Sequence, residues 1–130
     1  TLSSSSAASD VYKRQALGNT IRQCRLPVGL FEDLLSAFRQ DTTKTRYETF
    51  KQLLHYCRRS ANPVGRLVLR IAGYEDTRVD VASDFVCTAL QLVNFWQDLG
   101  RDWERGRLYV PLDEIRDLAS TKEHLLRPLG

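Results

Sequence analysis

An all-α fold is predicted by three observations. Apolar residues recur at three- and four-residue intervals along most of the chain, the period of one helix face. No stretch past residue 15 alternates like a half-buried strand, and no repeat or low-complexity tract intervenes. Pro27, Gly73 and Gly106 stand where periodic stretches begin or end. With 130 residues and 42% apolar content, the chain can build the core of one small domain.

Residues 1–15, TLSSSSAASDVYKRQ, are set apart by composition. They are Ser-rich, lack apolar periodicity, and the run SDVYKRQ resembles translated adapter sequence. They are expected to be a non-native or disordered leader, leaving 16–130 as the fold-bearing part.

A first helix is expected to open near Pro27, a residue suited to a first turn. Phe31, Leu34, Leu35 and Phe38 form its apolar side, and Asp41-Thr-Thr-Lys is its exit. The next helix carries Tyr47, Phe50, Leu54 and Cys57 on one side, with Leu53, Tyr56 and Ser60 beside them. Pro63 lacks an amide donor and clashes with the preceding turn, and Val64, Leu67, Val68 and Ile71 resume the pattern, so a kink is expected there. Gly73 is a C-cap, and Glu75–Asp80 reads as a polar connection. A long central helix, Ser83–Tyr109, follows. Leu108–Pro111 is extended, because Val110 precedes a proline. Ser120-Thr-Lys-Glu123 reads as the capping box of a last helix.

The central helix holds the chemistry. Wound at about 100° per residue with Gln91 at zero, Asn94, Asp98 and Asp102 fall within roughly 80° of arc. Phe85, Ala89, Leu92, Val93, Trp96, Leu99 and Trp103 lie on the far side. Asp98 and Asp102, at i and i+4, are spaced to hold hard cations between them. A solvated face is the plain alternative, since Arg101 and Arg105 could pair with the two acids. Against it, Gln91 and Asn94 extend the line without charge, and Ser83 and Cys87 continue it upstream in small, weakly polar residues.

Other classes are poorly supported. A net charge of +3 with interspersed signs leaves no nucleic-acid footprint. Arg58-Arg59 is too short a basic run to alter that. Cys24, Cys57 and Cys87 are odd in number and far apart, which favours reduced cytosolic thiols over zinc or disulfides. No apolar run approaches the roughly 18 residues of a membrane span, and no signal peptide is visible.

Two segments, LLSAFRQDTTKTRYETFKQLLHYCRRSANPVGRLVLR and CTALQLVNFWQDLGRDWERGRLYVP, resemble the squalene/phytoene synthase family. The resemblance covers essentially residues 27–115 and rests on the YC…A..VG helix, QLVN…D…D and RxY. The Asn62-Pro63 step and NFWQD resemble its hydroxysqualene synthase branch. Other branches usually carry small residues before Val-Gly and Arg at the position of Gln97.

The resemblance implies the central part of an incomplete isoprenoid-synthase helical bundle. It implies Mg²⁺ held by Asp98, Asp102 and Asn94, with Asp98, Asp102 and Tyr56 as the catalytic residues. Gln91 and Asn94 would line the diphosphate pocket, and Arg107 and Tyr109 would contact diphosphate or close it. Ala61, Val64 and Gly65 would leave room for isoprenoid tails. Asp41 and Arg46-Tyr47 match family positions read as mainly structural, while His55 and His124 match no role. The implied partner is presqualene or farnesyl diphosphate, with presqualene diphosphate converted to hydroxysqualene. A cytoplasmic protein in transient contact with the membrane surface follows from the hydrophobic product.

The first aspartate-rich motif of the family has no counterpart upstream of Arg25, so the chain is expected to be a fragment that is inactive alone. Presqualene diphosphate/squalene or phytoene synthesis is the alternative activity. A non-catalytic assembly factor is the alternative of another class, disfavoured by the intact Asp98 and Asp102. Oligomeric state is not legible.

Overall fold

The structure, a computed structural model, describes residues 4–125. It contains seven helices among them: α1 (Ser4–Gln23), α2 (Val28–Asp41), α3 (Phe50–Ser60), α4 (Asn62–Ile71), α5 (Thr77–Gln97), α6 (Leu99–Glu104) and α7 (Leu112–Leu125). No strand occurs among the described residues, and no helix there is long and apolar enough to cross a membrane.

The leader corrects one expectation. Its described residues, 4–15, are helical within α1, because the stretch contains no Pro and several good helix formers (Ala7, Ala8, Lys13, Arg14, Gln15). Helix α1 buries no side chain along its whole length, Ser4–Gln23, which runs past the leader into the expected fold-bearing part.

Helix α2 opens after Pro27, as expected. Tyr47 precedes α3 rather than lying in it, since Thr49 takes the N-cap and accepts a hydrogen bond from the Gln52 amide. Leu53, Tyr56 and Cys57 form the buried face of α3. Instead of a kinked helix, the structure has two. Ala61, at φ −113° and ψ −50°, separates them as a single turn residue, and Pro63 occupies the first turn of α4, where a missing N–H costs nothing. Gly73, at φ +87°, follows α4 in the left-handed conformation that closes it.

The polar connection is shorter than expected. Asp76 caps α5 through the Arg78 amide, so Asp80 lies inside the helix. There Asp80 is buried and receives both terminal nitrogens of Arg70, at 2.9 and 2.5 Å. One turn on, Arg66 makes the same two-pronged bond with Asp84, at 2.9 and 2.5 Å. These pairs stitch α4 to α5. The hydrogen bonds from Arg70 hold the Asp80 carboxyl below the usual carboxylate range, and those from Arg78 do the same for Asp76. A depressed folded-state pKa stabilises above the unfolded value and is lost as pH falls through the folded one. The urea midpoint is therefore expected to hold from pH 7 to about 5 and to fall below about 4. Asp80→Asn should lower the midpoint at pH 7 and flatten that acid limb.

The orientation of α5 is the main departure from a simple amphipathic helix. Asp80 and Phe95 are its buried residues, and Ser83, Asp84, Cys87, Thr88, Gln91 and Leu92 are half-buried. All but Leu92, the edge of the apolar stripe that packs on the core, fall on the arc that includes the polar line. The apolar stripe faces away: Phe85 is 73% exposed, Trp96 57% and Trp103 60%. An uncovered apolar face of this kind marks a surface that packs against something else.

The expected single helix over Ser83–Tyr109 is also interrupted. Asp98 departs from helical geometry at φ −91°, ψ 6°, separating α5 from α6, and Gly106 at φ +75° ends α6. The chain then runs extended and is anchored by hydrogen bonds from the Leu108 amide to the Thr45 carbonyl and from the Leu112 amide to the Tyr47 carbonyl, both 2.9 Å. Helix α7 starts right after Pro111 and continues through Ser120, so the Ser120–Glu123 pattern is not a helix start. The acids Asp113 and Glu114 favour the earlier start by meeting the positive end of the helix dipole.

Candidate active site

Tyr56 stands at the centre of an aromatic cluster. Its ring centroid lies 5.6 Å from Tyr47, 6.2 Å from Phe95 and 6.2 Å from Tyr109. Phe95 and Tyr109 stack face to face at 4.1 Å. The cluster brings together α3, α5, the approach to α3 and the extended segment after α6. Its residues come from four parts of the chain, and only tertiary packing unites them.

A polar edge borders these rings. The Tyr56 hydroxyl donates to the Asp41 carboxylate at 2.7 Å. Arg107 donates to the Asp41 carbonyl at 3.1 Å and to the Tyr109 hydroxyl at 3.2 Å, and its guanidinium lies 3.9 Å from the Asp41 carboxylate. Gln40 donates to the Tyr47 hydroxyl at 3.1 Å and accepts from Arg59. Burial, reinforced by the bond to Asp41, pushes the Tyr56 phenol well above its ordinary range. Burial likewise lifts Tyr47 to about 12. Both rings are neutral at any working pH.

Phe95, the ring that Tyr56 meets, lies on the same side of α5 as Gln91, one turn along. Gln91, Asp98 and Asp102 are half-buried, and Asn94 is exposed. Arg101 is 3.6 Å from Asp98, with both side chains about half or more exposed, a loose pair of little energy. Carboxylate and amide oxygens of this kind fit Mg²⁺ as part of a coordination shell completed by water and phosphate oxygens. They are only part of one: no group of three metal-ligating acids, histidines or cysteines occurs among the described residues.

The tail-lining residues are placed less uniformly. Val64 is exposed, and Ala61 is half-buried. Gly65 faces α5, where an added Cβ would lie 2.3 Å from the Ser83 hydroxyl and 2.6 Å from the Cys87 sulfur. Its absent side chain lets two helices approach, whatever else it leaves room for. Gly65→Ala is expected to destabilise by about 2 kcal/mol in urea melts, with Ser83→Ala restoring part of it. The larger hollows lined by described residues lie elsewhere. One of about 470 Å³ is bounded by Leu54, Asn62, Phe85, Thr88 and Leu92, and Tyr56 does not line it.

Two residues of the cluster are not among those the sequence singles out for the site. Asp41, expected to be mainly structural, accepts the hydrogen bond of the Tyr56 hydroxyl. The signal was an acid on the last residue of a helix, where the dipole disfavours it. Phe95 was passed over although it is an aromatic ring set within an otherwise polar arc.

The family model described as squalene/phytoene synthase matches residues 9–129. The chain belongs to the squalene/phytoene synthase family. The match takes in part of the compositionally odd leader. Among curated members of the squalene/phytoene synthase family, a hydroxysqualene synthase of Rhodopseudomonas palustris is 48% identical over 91 residues, 69% of this chain and 30% of that protein. Phytoene synthase 2 of Oryza sativa is 32% identical over 118 residues, 86% of this chain and 30% of that protein. The crystal structure of squalene synthase HpnC from Alicyclobacillus acidocaldarius superposes with a TM-score of 0.76 at 47% identity, covering 79% of this chain and 39% of that one. The chain thus spans about a third of the length of the squalene/phytoene synthases it matches.

Proposed function

We propose that, within a family-length protein, this segment forms one wall of an active site that converts presqualene diphosphate to hydroxysqualene. In that reaction a carbon–oxygen bond breaks, diphosphate leaves with the electron pair, the cation rearranges, and water adds and loses a proton. Asp98, Asp102 and Asn94 are the residues that would hold Mg²⁺. When bound, that ion supplies positive charge to the departing diphosphate. Gln91 and Asn94 orient phosphate oxygens or water without adding charge. Arg107, a permanent cation with planar donors, is suited to a diphosphate oxygen at the same end.

One observation carries this reading. Gln91, Asp98 and Asp102 are half-buried on the side of α5 and α6 that also carries Phe95 of the aromatic cluster, while Phe85, Trp96 and Trp103 of the apolar stripe are exposed. Simple solvation of a helix would produce the reverse. The identity to hydroxysqualene synthases, 43–48% in three curated relatives, supports this branch. Phytoene synthase relatives favour a second reading, condensation of two prenyl diphosphates. A non-catalytic assembly role is a third.

The test uses a family-length protein carrying this segment, made by exchanging it for the matching part of the Rhodopseudomonas palustris relative. The protein is given farnesyl, geranylgeranyl or presqualene diphosphate separately with Mg²⁺, and the products are identified. Hydroxysqualene from presqualene diphosphate alone is expected. Phytoene, or a folded protein that leaves all three untouched, overturns the reading. A product this apolar also implies transient contact of the cytoplasmic enzyme with a membrane surface, which vesicle co-sedimentation of the active protein would detect.

A further inference from the structure

From the hydrogen bonds on either side of Asp41 we infer that it is a positioning residue of the proposed site, fixing the Tyr56 hydroxyl with its carboxylate and anchoring Arg107 with its backbone carbonyl. The inference rests on the reading above for its catalytic readout, but not for its spectroscopic one.

The location of Asp41 is hard to explain by local stability. It is the last residue of α2, where the helix dipole opposes a carboxylate and favours a cation. Thr42 and Thr43, directly after it, cap the carbonyls of Arg39 and Gln40 without its help. Its one short side-chain bond is the 2.7 Å acceptance from Tyr56, a residue only 5% exposed. A buried phenol can donate one proton, and Asp41 decides where that proton points. Bonding to a carboxylate also raises electron density on the phenol without ionising it.

The second contact runs through the backbone. The Asp41 carbonyl, an orphan at the helix end, accepts from Arg107, whose side chain also reaches the Tyr109 hydroxyl. Tyr109 stacks on Phe95 of α5. One residue thereby ties α3 and the extended segment after α6 to the site. Tyr47, Tyr109, Arg59 and Arg107 are the other titratable or charged groups around the Tyr56–Asp41 bond.

The test is Asp41→Asn, which keeps the size and an acceptor oxygen but removes the charge. Tyrosines are labelled with ¹³C at the ring carbon bearing the hydroxyl, and the Tyr56 signal is assigned with Tyr56→Phe. In the family-length protein, Asp41→Asn is expected to lower kcat for presqualene diphosphate about 30-fold with KM within about threefold, a loss typical of one misplaced catalytic contact. The Tyr56 signal should shift, and its titration should begin at lower pH than in the parent. Asp41→Asn combined with Tyr56→Phe should be no slower than Tyr56→Phe alone. A folded Asp41→Asn protein with an unmoved Tyr56 signal overturns the inference, whatever happens to kcat. If Asp41→Asn does not fold, Asp41→Ser, which also removes the charge, is read in the same way. Failure of the parent to turn over presqualene diphosphate counts against the proposed reaction, and the Tyr56 signal still decides the role of Asp41.

Discussion

Asp98→Asn, in a family-length protein carrying this segment, is expected to lower kcat for presqualene diphosphate about 10³-fold, roughly 4 kcal/mol of transition-state stabilisation. The substitution preserves shape and one oxygen acceptor, so circular dichroism and the urea midpoint should barely change. Asp98 is half-exposed, and its one ion pair is a loose contact with Arg101. Its removal therefore disturbs no core contact, and what is lost is negative charge beside Asp102. The Mg²⁺ concentration needed for half-maximal activity should rise as well. A scaffold with this fold would keep its function after the same change. A loss smaller than about threefold would remove Asp98 from the mechanism.

Tyr47→Ala is expected to destabilise the protein by about 4 kcal/mol, enough to abolish most of the margin of a domain this size. Tyr47 is 1% exposed and packs against both Tyr56 and Tyr109. Truncation leaves a ring-sized void between them. Tyr47→Phe separates the contributions: it keeps the ring and removes only the bond from Gln40, so about 1 kcal/mol is expected. Urea melts of the two variants decide between them. Equal losses would mean that the hydroxyl, not the ring, holds the cluster.

Much of the helical outline was legible because it is locally encoded. Pro27, Gly73 and Gly106 marked true boundaries, since fixed φ in one case and positive φ in the others are properties of single residues. The errors arose where local signals compete. Asn62-Pro63 permitted either a kink or a break, and the geometry of Ala61 decided for a break. Ser120–Glu123 has the spacing of a capping box, but Pro111 with Asp113 and Glu114 makes an earlier start.

The site was legible in part. The alignment of residues 91, 94, 98 and 102 followed from helix period alone. The sequence left a solvated face as the alternative for that line. The ion pairs of Asp80 and Asp84 that turn their side of α5 toward α4 have partners 10 and 18 residues away, beyond the reach of helix periodicity. Asp41, Tyr56 and Arg107 converge from positions 41 to 107, a convergence no periodicity can report.

The interruption at Asp98 has a mechanical consequence. Its carboxylate sits at the joint, while that of Asp102 rides on a separate six-residue helix. The Asp102 amide nevertheless donates to the Asp98 carbonyl at 2.8 Å, so the two acids stay one hydrogen-bonded turn apart across the interruption. Trp96 and Trp103 lie on opposite sides of that junction, so any change of angle between the two helices would carry its own optical gauge.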